Sequence, residues 1–500
     1  MIKQRNAPLE IGAADFRAIG HHLVNRVADF LESLPQRPVT PGESPPVVRE
    51  VLDASRSLPD AGTDPGKLID RATDLLIDHS LFNSHPRFWG FITAPAAPIG
   101  ILGEFLAAAV NQNSGAWLLS PMASEIEAQT IRWIAQLLSF PTDCGGILVS
   151  GGNMANMVGF FAARQAKAGW DARATGLYGG EARRLRIYCS KETHTWIHKA
   201  ADLSGIGTDG IRWIPTNKDL RMNLDALRKH IRADREAGEH PFIVVGTAGS
   251  ISTGAIDSLP EIARICRGED LWFHVDGAYG GFAAMLPDAP SDVLGLSEAD
   301  SVAVDPHKWL YAPLEAGCAL VRDPEKLRAA FSYHPPYYHF GVEAINYFDL
   351  GPQNSRDFRA LKVWLALQHV GRKGYEQMIT DDIQLAKELH TLIVQQPELE
   401  AFTRSLSITT FRYVPPDLKS NSEGIEKYLN QLNTELLTRL QNSGDAFVSN
   451  AVLDERFLLR ACIVNFRTSL ADIQALPEIV IHTGREVDSV MRPEELKRRT

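Results

Sequence analysis

Two residues at the ends of apolar segments have types that could perform chemistry together. The first is Lys308, which follows the run SVAVDP at residues 301–306, where Val302 and Val304 predict a buried strand. Pro306 has no backbone N–H and predicts the end of that strand, so Lys308 is expected where open parallel α/β sheets form their sites. A lysine in that place can hold an aldehyde as a Schiff base, although most lysines are solvated surface charges.

The second residue is Asp276, which ends the apolar run of LWFHVDGAYGGF at residues 271–282. A carboxylate at the end of a buried strand requires a partner. Pyridoxal phosphate provides one, because its protonated ring nitrogen pairs with a carboxylate while a lysine holds its aldehyde, and the ring then acts as an electron sink. Either residue alone is more simply an ordinary surface or turn residue, but the pair favours the cofactor.

The motifs HVDGAYGG at residues 274–281 and DPHKW at 305–309 resemble those of the group II pyridoxal-phosphate decarboxylases, most closely the aromatic L-amino-acid branch. The similarity extends from about residue 15 to residue 473. It implies a fold-type I α/β architecture with a mostly parallel central sheet and flanking helices. It also implies three parts: an N-terminal helical arm at residues 1–85, a large cofactor-binding domain at 86–375 and a small α+β domain at 376–500.

The resemblance also implies roles for individual residues. His194 is expected to lie flat against the cofactor ring, and His307 to contact the phosphate or assist proton transfer. In the aromatic decarboxylases a loop tyrosine returns a proton to the substrate carbon, and Tyr337 occupies that place here. The expected catalytic residues are Lys308, Asp276, His194 and Tyr337. The expected cofactor-binding residues are Gly152, Asn153, His194, Thr195, Ser252, Asp276, Ala278, Asp305, His307 and Lys308.

Two turns are expected near the cofactor. GGILVSGGN at residues 145–153 predicts a strand, a glycine turn and a helix capped by Asn153, whose N-terminus would suit a phosphate group. Many relatives carry serine or alanine where this chain has Gly152 and Asn153. The second turn follows the predicted strand in FIVVGTAGSISTGAID, residues 242–257. There Ile251 replaces a threonine typical of the family, so Thr247 or Ser252 is expected to supply the hydroxyl contact.

The segment HPRFWGFITAPAAPIG, residues 85–100, combines aromatic residues with glycine and proline, a pattern typical of a loop that lines a pocket. By the resemblance, Phe91 and Thr93 are expected to contact the substrate, and Trp117 to lie in the same wall. Trp89, Phe91 and Trp117 together favour an aromatic substrate through apolar contact and stacking. The alternative is that these aromatic residues are core, which is the commoner case.

The composition excludes several other classes of protein. The chain has 500 residues, with 51 basic against 61 acidic residues and a net charge of −10, and it contains no long run of either sign, which argues against a nucleic-acid or anionic-membrane partner. Five scattered cysteines without a CxxC pair predict neither a disulfide framework nor a zinc site, and they fit a reducing cytoplasm. The N-terminus lacks the apolar core of a signal peptide, and no segment has eighteen uncharged apolar residues in a row.

Three local patterns suggest other chemistry, and each lacks a required part. His194 and His198 have the spacing of metal ligands on a helix, but no third ligand is evident, so no metal is expected. GIGTDG at residues 205–210 matches a dinucleotide fingerprint but follows a helical stretch and precedes a strand, the reverse of the required order. Ser250 and its hydroxyl neighbours lack the GxSxG elbow of a serine nucleophile.

The N-terminal segment predicts an arm. Apolar residues recur with a helical period from Asp15 to Leu34, and PQRPVTPGESPP at residues 35–46 predicts a stretch without regular structure. The apolar face of the helix requires a cover. In the resembling family this arm wraps the partner subunit, so a homodimer is expected.

The sequence therefore predicts a decarboxylase that converts an L-amino acid to its amine and carbon dioxide. The expected substrate is aromatic, of the tyrosine, DOPA, phenylalanine or tryptophan type. Two enzymatic alternatives stay open: a non-aromatic substrate, and release of an aldehyde with ammonia and hydrogen peroxide. The second occurs on this scaffold when the loop tyrosine is phenylalanine, and Tyr337 argues against it. A non-enzymatic dimeric scaffold is disfavoured by the set of Asp276, Lys308 and His194.

Overall fold

The computed structural model describes residues 7–180, 182–333, 344–418 and 423–496, and this part of the chain contains two β-sheets surrounded by helices. The strands are β1 (Phe88–Trp89), β2 (Gly145–Val149), β3 (Leu185–Ser190), β4 (Ile211–Ile214), β5 (His240–Thr247), β6 (Trp272–Asp276), β7 (Ser301–Val304), β8 (Gly317–Val321), β9 (Leu399–Ser405), β10 (Ile408–Tyr413), β11 (Phe447–Leu453) and β12 (Arg456–Cys462). The α-helices are α1 (Ala13–Ser33), α2 (Pro45–Leu52), α3 (Pro65–Asp78), α4 (Pro98–Val110), α5 (Pro121–Leu137), α6 (Gly152–Lys167), α7 (Ala172–Thr175), α8 (Trp196–Leu203), α9 (Leu224–Glu236), α10 (Leu259–Gly268), α11 (Ser291–Leu294), α12 (Pro324–Phe331), α13 (Ala360–Gln395), α14 (Glu423–Ser443) and α15 (Leu470–Met491).

The larger sheet has the order β2-β8-β7-β6-β5-β3-β4. Strand β8 is antiparallel to both of its neighbours, and all other neighbouring pairs are parallel. Every residue of β2, β3, β6, β7 and β8 is buried, as expected for a sheet that helices cover on both faces. The predicted α/β architecture with a mostly parallel sheet is confirmed.

The strand directions bring distant segments to one edge of this sheet. Because β2 and β7 are both antiparallel to β8, they run in the same direction, and β6, β5 and β3 follow β7 in parallel. The carboxyl ends of these five strands therefore meet, and the turns after residues 149, 190, 247, 276 and 304 lie side by side. Ligands of open α/β sheets bind at this edge.

The smaller sheet has the order β1-β11-β12-β10-β9 and is antiparallel except where β1 pairs with β11. Its core includes Trp89, which is fully buried and donates a hydrogen bond from Nε1 to Thr468 Oγ1 at 3.1 Å. The prediction that residues 85–100 form one irregular loop is therefore wrong at both ends, because β1 pairs with a distant strand and α4 begins at Pro98.

Helix α13 connects the two sheets. The sequence predicts a helix from Asp357 to Val370, but the helix begins at Ala360 and continues to Gln395, with one non-helical residue, Gly371, at φ = 66°. It packs against α4 and α5 on one side and against β9, β10 and α15 on the other. Side chains on this helix therefore contact both the smaller sheet and the helices beside the larger sheet.

The N-terminal helix α1 begins and ends close to the predicted bounds and has no fully buried residue. It packs against α3 through a hydrogen bond between His22 and Asp70 and an ion pair of Arg26 with Asp74. The proline-rich stretch is shorter than predicted, because α2 begins at Pro45, and proline is favourable in the first turn of a helix. Among the described helices, none has the length and apolar character needed to cross a membrane.

Candidate functional site

A cavity of ≈ 430 Å³ lies at the carboxyl edge of the larger sheet. Most of the residues predicted for the site line this cavity, although they come from segments far apart in sequence. They are Phe91, Thr93, Gly152, Asn153, His194, Asp276, Ala278, Asp305, His307 and Lys308. The cavity also has lining residues that the sequence did not single out, of which Glu192 and Glu315 are charged.

Lys308 projects from the turn that follows β7. Its Nζ lies 2.9 Å from Asp305 Oδ2, and its backbone N–H donates to the carbonyl of Asp305 at 2.9 Å. Asp305 is almost completely buried, and its Oδ1 has no hydrogen-bond partner among the described residues. A buried carboxylate oxygen without a partner is costly, so this oxygen faces a place where a ligand or water can donate to it.

His307 lies beside this ion pair, on the turn between β7 and β8. Its Nδ1 donates to the carbonyl of Ala316 at 2.6 Å, and its Nε2 lies 3.7 Å from Asp305 Oδ2. Burial lowers the pKa of His307, with Asp305 acting in the opposite direction. The ring is therefore held by the backbone, with Nε2 free to face the cavity.

Asp276 is the last residue of β6 and is 7% exposed. Its Oδ2 accepts a hydrogen bond from Trp196 Nε1 at 2.8 Å, and its Oδ1 accepts one from the backbone of Ala278 at 3.2 Å. The tryptophan contact was not predicted, because a tryptophan that begins an apolar helix usually indicates only core. These two bonds fix the plane of the carboxylate where it faces the cavity.

His194 lies just before α8, and its Nδ1 accepts the backbone N–H of Trp196 at 3.3 Å, which places the ring proton on Nε2. Burial lowers the pKa of His194, the charge of Asp276 raises it, and the charge of Lys308 lowers it. Because the burial contribution is the largest, we assign a neutral imidazole at pH 7. A neutral ring suits stacking against a flat ligand.

The glycine turn between β2 and α6 lies against the Lys308 turn. Helix α6 begins at Gly152 with Gly151 as its N-cap, so the prediction that Asn153 caps the helix is wrong; Gly151 has φ = 82°, which a glycine adopts without strain. A Cβ on Gly152 would lie 2.6 Å from Asp305 Oδ2 and 3.2 Å from Ala278 Cβ. Glycine is therefore required there for the buried carboxylate to fit. Asn153, in the first turn, lines the cavity.

Three of the predicted residues do not line the cavity. Thr195 is an exposed residue at the start of α8, and the indole of Trp117 donates to Glu125 Oε1 at 2.9 Å outside the cavity. At the turn after β5, Ser252 lies away from the cavity, whereas Thr247 lines it with an Oγ1 that has no partner among the described residues. The hydroxyl on the cavity is therefore that of Thr247, one of the two that the sequence offered. Tyr337 lies outside the described residues.

The apolar wall of the cavity is smaller than predicted. Phe91, with φ = 52°, is half-exposed and keeps its place through its backbone N–H, which donates to Ser449 Oγ at 3.0 Å. Among the residues of the two turns that were predicted to lie near the cofactor, Ile251 is a large apolar side chain that lines the cavity. Because Trp89 is buried in the smaller sheet, aromatic contact in this cavity depends on Phe91 and Tyr279.

Arg460, on β12, is a buried charged residue that the sequence did not predict for the site. It is 3% exposed, donates to the carbonyl of Ile251 and to Ser449 Oγ at 2.7 Å, and forms no ion pair within the described ranges. Burial lowers its pKa. The only signal in the sequence is an arginine within the apolar run FLLRACIV. Arg460 therefore places a positive charge, without an ion-pair partner among the described residues, next to the backbone of Ile251 and the anchor of Phe91.

The described part of the chain has no group of three or more His, Cys, Asp and Glu side chains that could hold a metal ion. Of the histidines considered for a metal site, His194 lies on the cavity, while the His198 ring packs against Trp213 with ring centroids 4.9 Å apart. The chemistry of the cavity is therefore that of one amine, several carboxylates and two imidazoles.

The comparisons with known proteins agree with each other. Residues 49–414 match the pyridoxal-dependent decarboxylase conserved domain. The chain is 33% identical over 470 residues to an aromatic-L-amino-acid decarboxylase of Bacillus atrophaeus, covering 93% of this chain and 94% of that protein. It is 28% identical to a 4-hydroxyphenylacetaldehyde synthase of Rhodiola rosea, covering 93% and 94%. A crystal structure of Oryza sativa TDC with PLP and tryptamine superimposes with a TM-score of 0.88, 27% identity and coverage of 96% of this chain and 99% of that one.

Proposed function

The chain belongs to the pyridoxal-dependent decarboxylase family, and from this premise we propose that it converts an aromatic L-amino acid to its amine and carbon dioxide. It is a pyridoxal-phosphate-dependent amino-acid decarboxylase. The aromatic substrate class follows from the names of its relatives and from Phe91 and Ile251 on the cavity wall. The observation that carries the proposal is the single cavity that contains both Lys308 and Asp276.

The residues around the cavity fit pyridoxal phosphate. An amine and a carboxylate both line it, as an aldehyde and a pyridine nitrogen require. The N-terminus of α6, a 16-residue helix, lies beside them with no side chain on Gly151 and Gly152, which suits a phosphate group. The unpartnered oxygens of Asp305 and Thr247 are further evidence that a polar ligand belongs here.

When bound, the cofactor supplies an electron sink for the pair of electrons that the departing carboxyl group leaves behind. Lys308 would hold its aldehyde through the side-chain amine, and Asp305 keeps the lysine side chain aimed into the cavity. Asp276 would pair with the ring nitrogen, and the Trp196 hydrogen bond prevents this carboxylate from rotating away. His194 would offer its neutral ring as a flat surface for the cofactor ring, and Ala278, Asn153 and His307 would supply further contacts.

The substrate is held by groups on the opposite wall. Phe91 and Thr93 contact its side chain, and the positive charge of Arg460 attracts its carboxylate toward the wall formed by Phe91 and Ile251. Tyr337 returns a proton to the substrate carbon, which is the step that separates amine release from aldehyde formation.

Cofactor attachment is tested by Lys308→Ala. The variant is expected to lose the visible absorbance of the cofactor-loaded protein, since no other lysine lines the described cavity. Lys191→Ala is the matched control, because Lys191 is exposed and three residues before His194, and it should keep the spectrum. An unchanged spectrum in Lys308→Ala would exclude this lysine.

Substrate class and product are tested together. Purified protein loaded with pyridoxal phosphate is given tyrosine, DOPA, phenylalanine, tryptophan and glutamate in turn, and carbon dioxide, amine and hydrogen peroxide are measured. Carbon dioxide with amine from an aromatic substrate supports the proposal. Peroxide in equal amount with carbon dioxide would identify the aldehyde-forming reaction, and turnover of glutamate alone would overturn the aromatic assignment.

The chain also has a surface that supports assembly as a homodimer. Leu102, Phe105, Leu106 and Val110 share one face of α4 and are each more than half exposed. Four large apolar side chains at this spacing form a face that a second subunit would cover. Phe105→Glu is expected to shift the sedimentation coefficient to that of a monomer, whereas Leu203→Glu, at a more exposed position on α8, should leave the dimer intact.

The remaining assignments follow from the family. We propose that residues 1–85 form an arm that wraps the partner, that residues 86–375 bind the cofactor and that residues 376–500 form the smaller domain. We also propose the cytoplasm as the compartment, because all five cysteines are unpaired and reduced thiols are typical of it. Fractionation of cells that express a tagged chain tests the compartment.

A further inference from the structure

Asp382, on helix α13, is a buried carboxylate that contacts the segment carrying Lys308. It is 2% exposed, and its Oδ2 accepts hydrogen bonds from Trp309 Nε1 at 3.0 Å and from the Tyr311 hydroxyl at 2.7 Å. Its Oδ1 accepts the backbone N–H of Asn465 at 3.4 Å. Within the described residues it forms no ion pair with a lysine or arginine.

The two side chains that Asp382 holds belong to the turn from which Lys308 projects. The Tyr311 N–H donates to the carbonyl of Lys308 at 3.0 Å, so Tyr311 closes this turn. A second side chain of α13 acts on the same turn, since the Tyr375 hydroxyl donates to the carbonyl of Leu310 at 3.1 Å. The position of Lys308 is thus set by α13, although no residue of α13 lines the cavity.

The same two aromatic residues also touch the walls of the cavity. Trp309 packs against Tyr279, which lines the cavity, with ring centroids 4.8 Å apart. The Tyr311 carbonyl accepts the N–H of Ala97, at the end of the segment that carries Phe91 and Thr93. A displacement of either aromatic residue would therefore change both the lysine and the substrate wall.

The pattern of hydrogen bonds at Asp382 is suited to a carboxylate that acts as an acceptor. Asp382 is the acceptor in all three of its described hydrogen bonds, which suits the ionised carboxylate. A protonated carboxyl would have one O–H without an acceptor among these partners. Burial raises its pKa to about 7, and the bonds from Tyr311 and Trp309 act in the opposite direction. A buried carboxylate without a cation is costly, and ordinary core packing gives no reason for it.

We propose that Asp382 is a positioning residue for the reaction, which holds Trp309 and Tyr311 so that Lys308 and the substrate wall keep their mutual geometry. This inference rests on the proposed role of Lys308 as the residue that holds the cofactor. Asp382 itself touches neither the cavity nor a reacting atom. Its bond to Asn465, which follows β12, also ties the Lys308 turn to the smaller sheet.

The test compares Asp382→Asn with a control of equal burial. The asparagine keeps the size and one acceptor oxygen but loses the charge and the second acceptor. Asp234→Asn is the control, because Asp234 is 5% exposed and accepts from the Tyr188 hydroxyl at 2.7 Å, but it lies between α9, β3 and β4, away from the cavity. Both variants should lower the melting temperature.

Only Asp382→Asn is expected to change the visible circular dichroism of the protein loaded with pyridoxal phosphate. It should also lower kcat about tenfold with KM within about twofold, as expected when a charged hydrogen bond that holds a reacting group is weakened. The dichroism needs no substrate, so its result does not depend on whether the chain acts on aromatic amino acids. Tyr311→Phe, which removes one donor and keeps the carboxylate, should have a similar effect, and the double variant should be no worse than Asp382→Asn alone.

The proposal is overturned if Asp382→Asn changes only the melting temperature, as Asp234→Asn does. It is also overturned if the effects of Asp382→Asn and Tyr311→Phe on kcat multiply, because independent effects mean that the carboxylate does not act through this donor. If Asp382→Asn does not fold, the dichroism and kcat of Tyr311→Phe decide the question alone.

Discussion

The hydrogen bond from Trp196 to Asp276 leads to a prediction that does not alter any residue of the proposed chemistry. Trp196→Phe removes the indole N–H that donates to Asp276 Oδ2 at 2.8 Å and retains an aromatic ring in a fully buried position. Oδ2 then faces a phenyl edge, while Oδ1 keeps only the N–H of Ala278. The carboxylate is expected to rotate and to hold the ring nitrogen less firmly.

The size of the effect follows from the charge and burial of the acceptor. A hydrogen bond to a charged group contributes about 1.5–3 kcal/mol, which corresponds to about 10- to 150-fold in rate if the whole loss is felt in the transition state. We therefore expect kcat to fall at least about tenfold. The smaller side chain also leaves a void beside Phe160 and His274, at a cost of about 1–2 kcal/mol in the free energy of unfolding.

The control is the same substitution at Trp272, which is also fully buried and donates from Nε1 to Ser301 Oγ at 2.7 Å. Trp272→Phe should cost a similar free energy of unfolding, measured by urea denaturation, but leave kcat for carbon dioxide release within about twofold. Because Trp272 lies at the other end of β6, the comparison separates general destabilisation from loss of the Asp276 contact.

The reasoning is refuted if Trp196→Phe and Trp272→Phe lower kcat equally. It is also refuted if Trp196→Phe raises KM alone, because the proposed contact acts on the cofactor ring and not on substrate binding.

Three further predictions concern the same edge of the sheet. Asp276→Asn should remove nearly all turnover while the cofactor stays bound, which absorbance and carbon dioxide assays measure together. Gly152→Ala places a Cβ 2.6 Å from an Asp305 oxygen and should weaken cofactor affinity at least about tenfold in a titration, whereas Gly20→Ala, in open space on α1, should not change it. His274 has its pKa lowered by burial from 6.5 to about 4, so the unfolded chain binds the extra proton and stability falls as the pH drops from 6.5 to 4, by about 3 kcal/mol; melting curves of His274→Gln should show a shallower loss over that window.

The parts of the site that the sequence predicted are those that end apolar strands. Asp276 and Lys308 could be paired without coordinates, because the carboxyl ends of parallel strands share one edge and a buried acid needs a partner. The motifs around them also indicated the family. At Asp276 and Lys308 the apolar strand pattern and the need of a buried charge for a partner lead to the same prediction.

The parts that could not be predicted depend on contacts between distant segments. The bond of Trp196 to Asp276 joins residues 80 positions apart, and Arg460 reaches Ile251 across 209 positions. Trp89 lies in a segment whose composition is typical of a pocket loop, yet Trp89 is in a strand and pairs with Val448 of the smaller sheet. No periodicity within a short window contains this information.

Helix bounds illustrate a second limit. The predicted helix ended at Val370, and the next residue is Gly371, a residue type that commonly ends helices. Gly371 does adopt a positive φ, but the helix resumes at once, and α13 packs against α4, α5 and the smaller sheet. The end of the predicted helix therefore coincides with the non-helical residue Gly371, but the helix does not stop there and continues to Gln395.

The hydrogen bond between Phe91 and Ser449 spans 358 positions of the chain, and it has a consequence for biosynthesis. A ribosome that has released every strand of the larger sheet has produced both the amine and the carboxylate of the cavity, but β11 and β12 are still unmade. The nascent polypeptide at that stage has the residues that line the cavity but lacks Ser449, the acceptor that holds the backbone of Phe91 in the cavity wall. Vitamin B6 capture should therefore be nearly post-translational, and a stop codon ahead of Ser449 should abolish holoenzyme formation although every cofactor-contacting side chain has been translated.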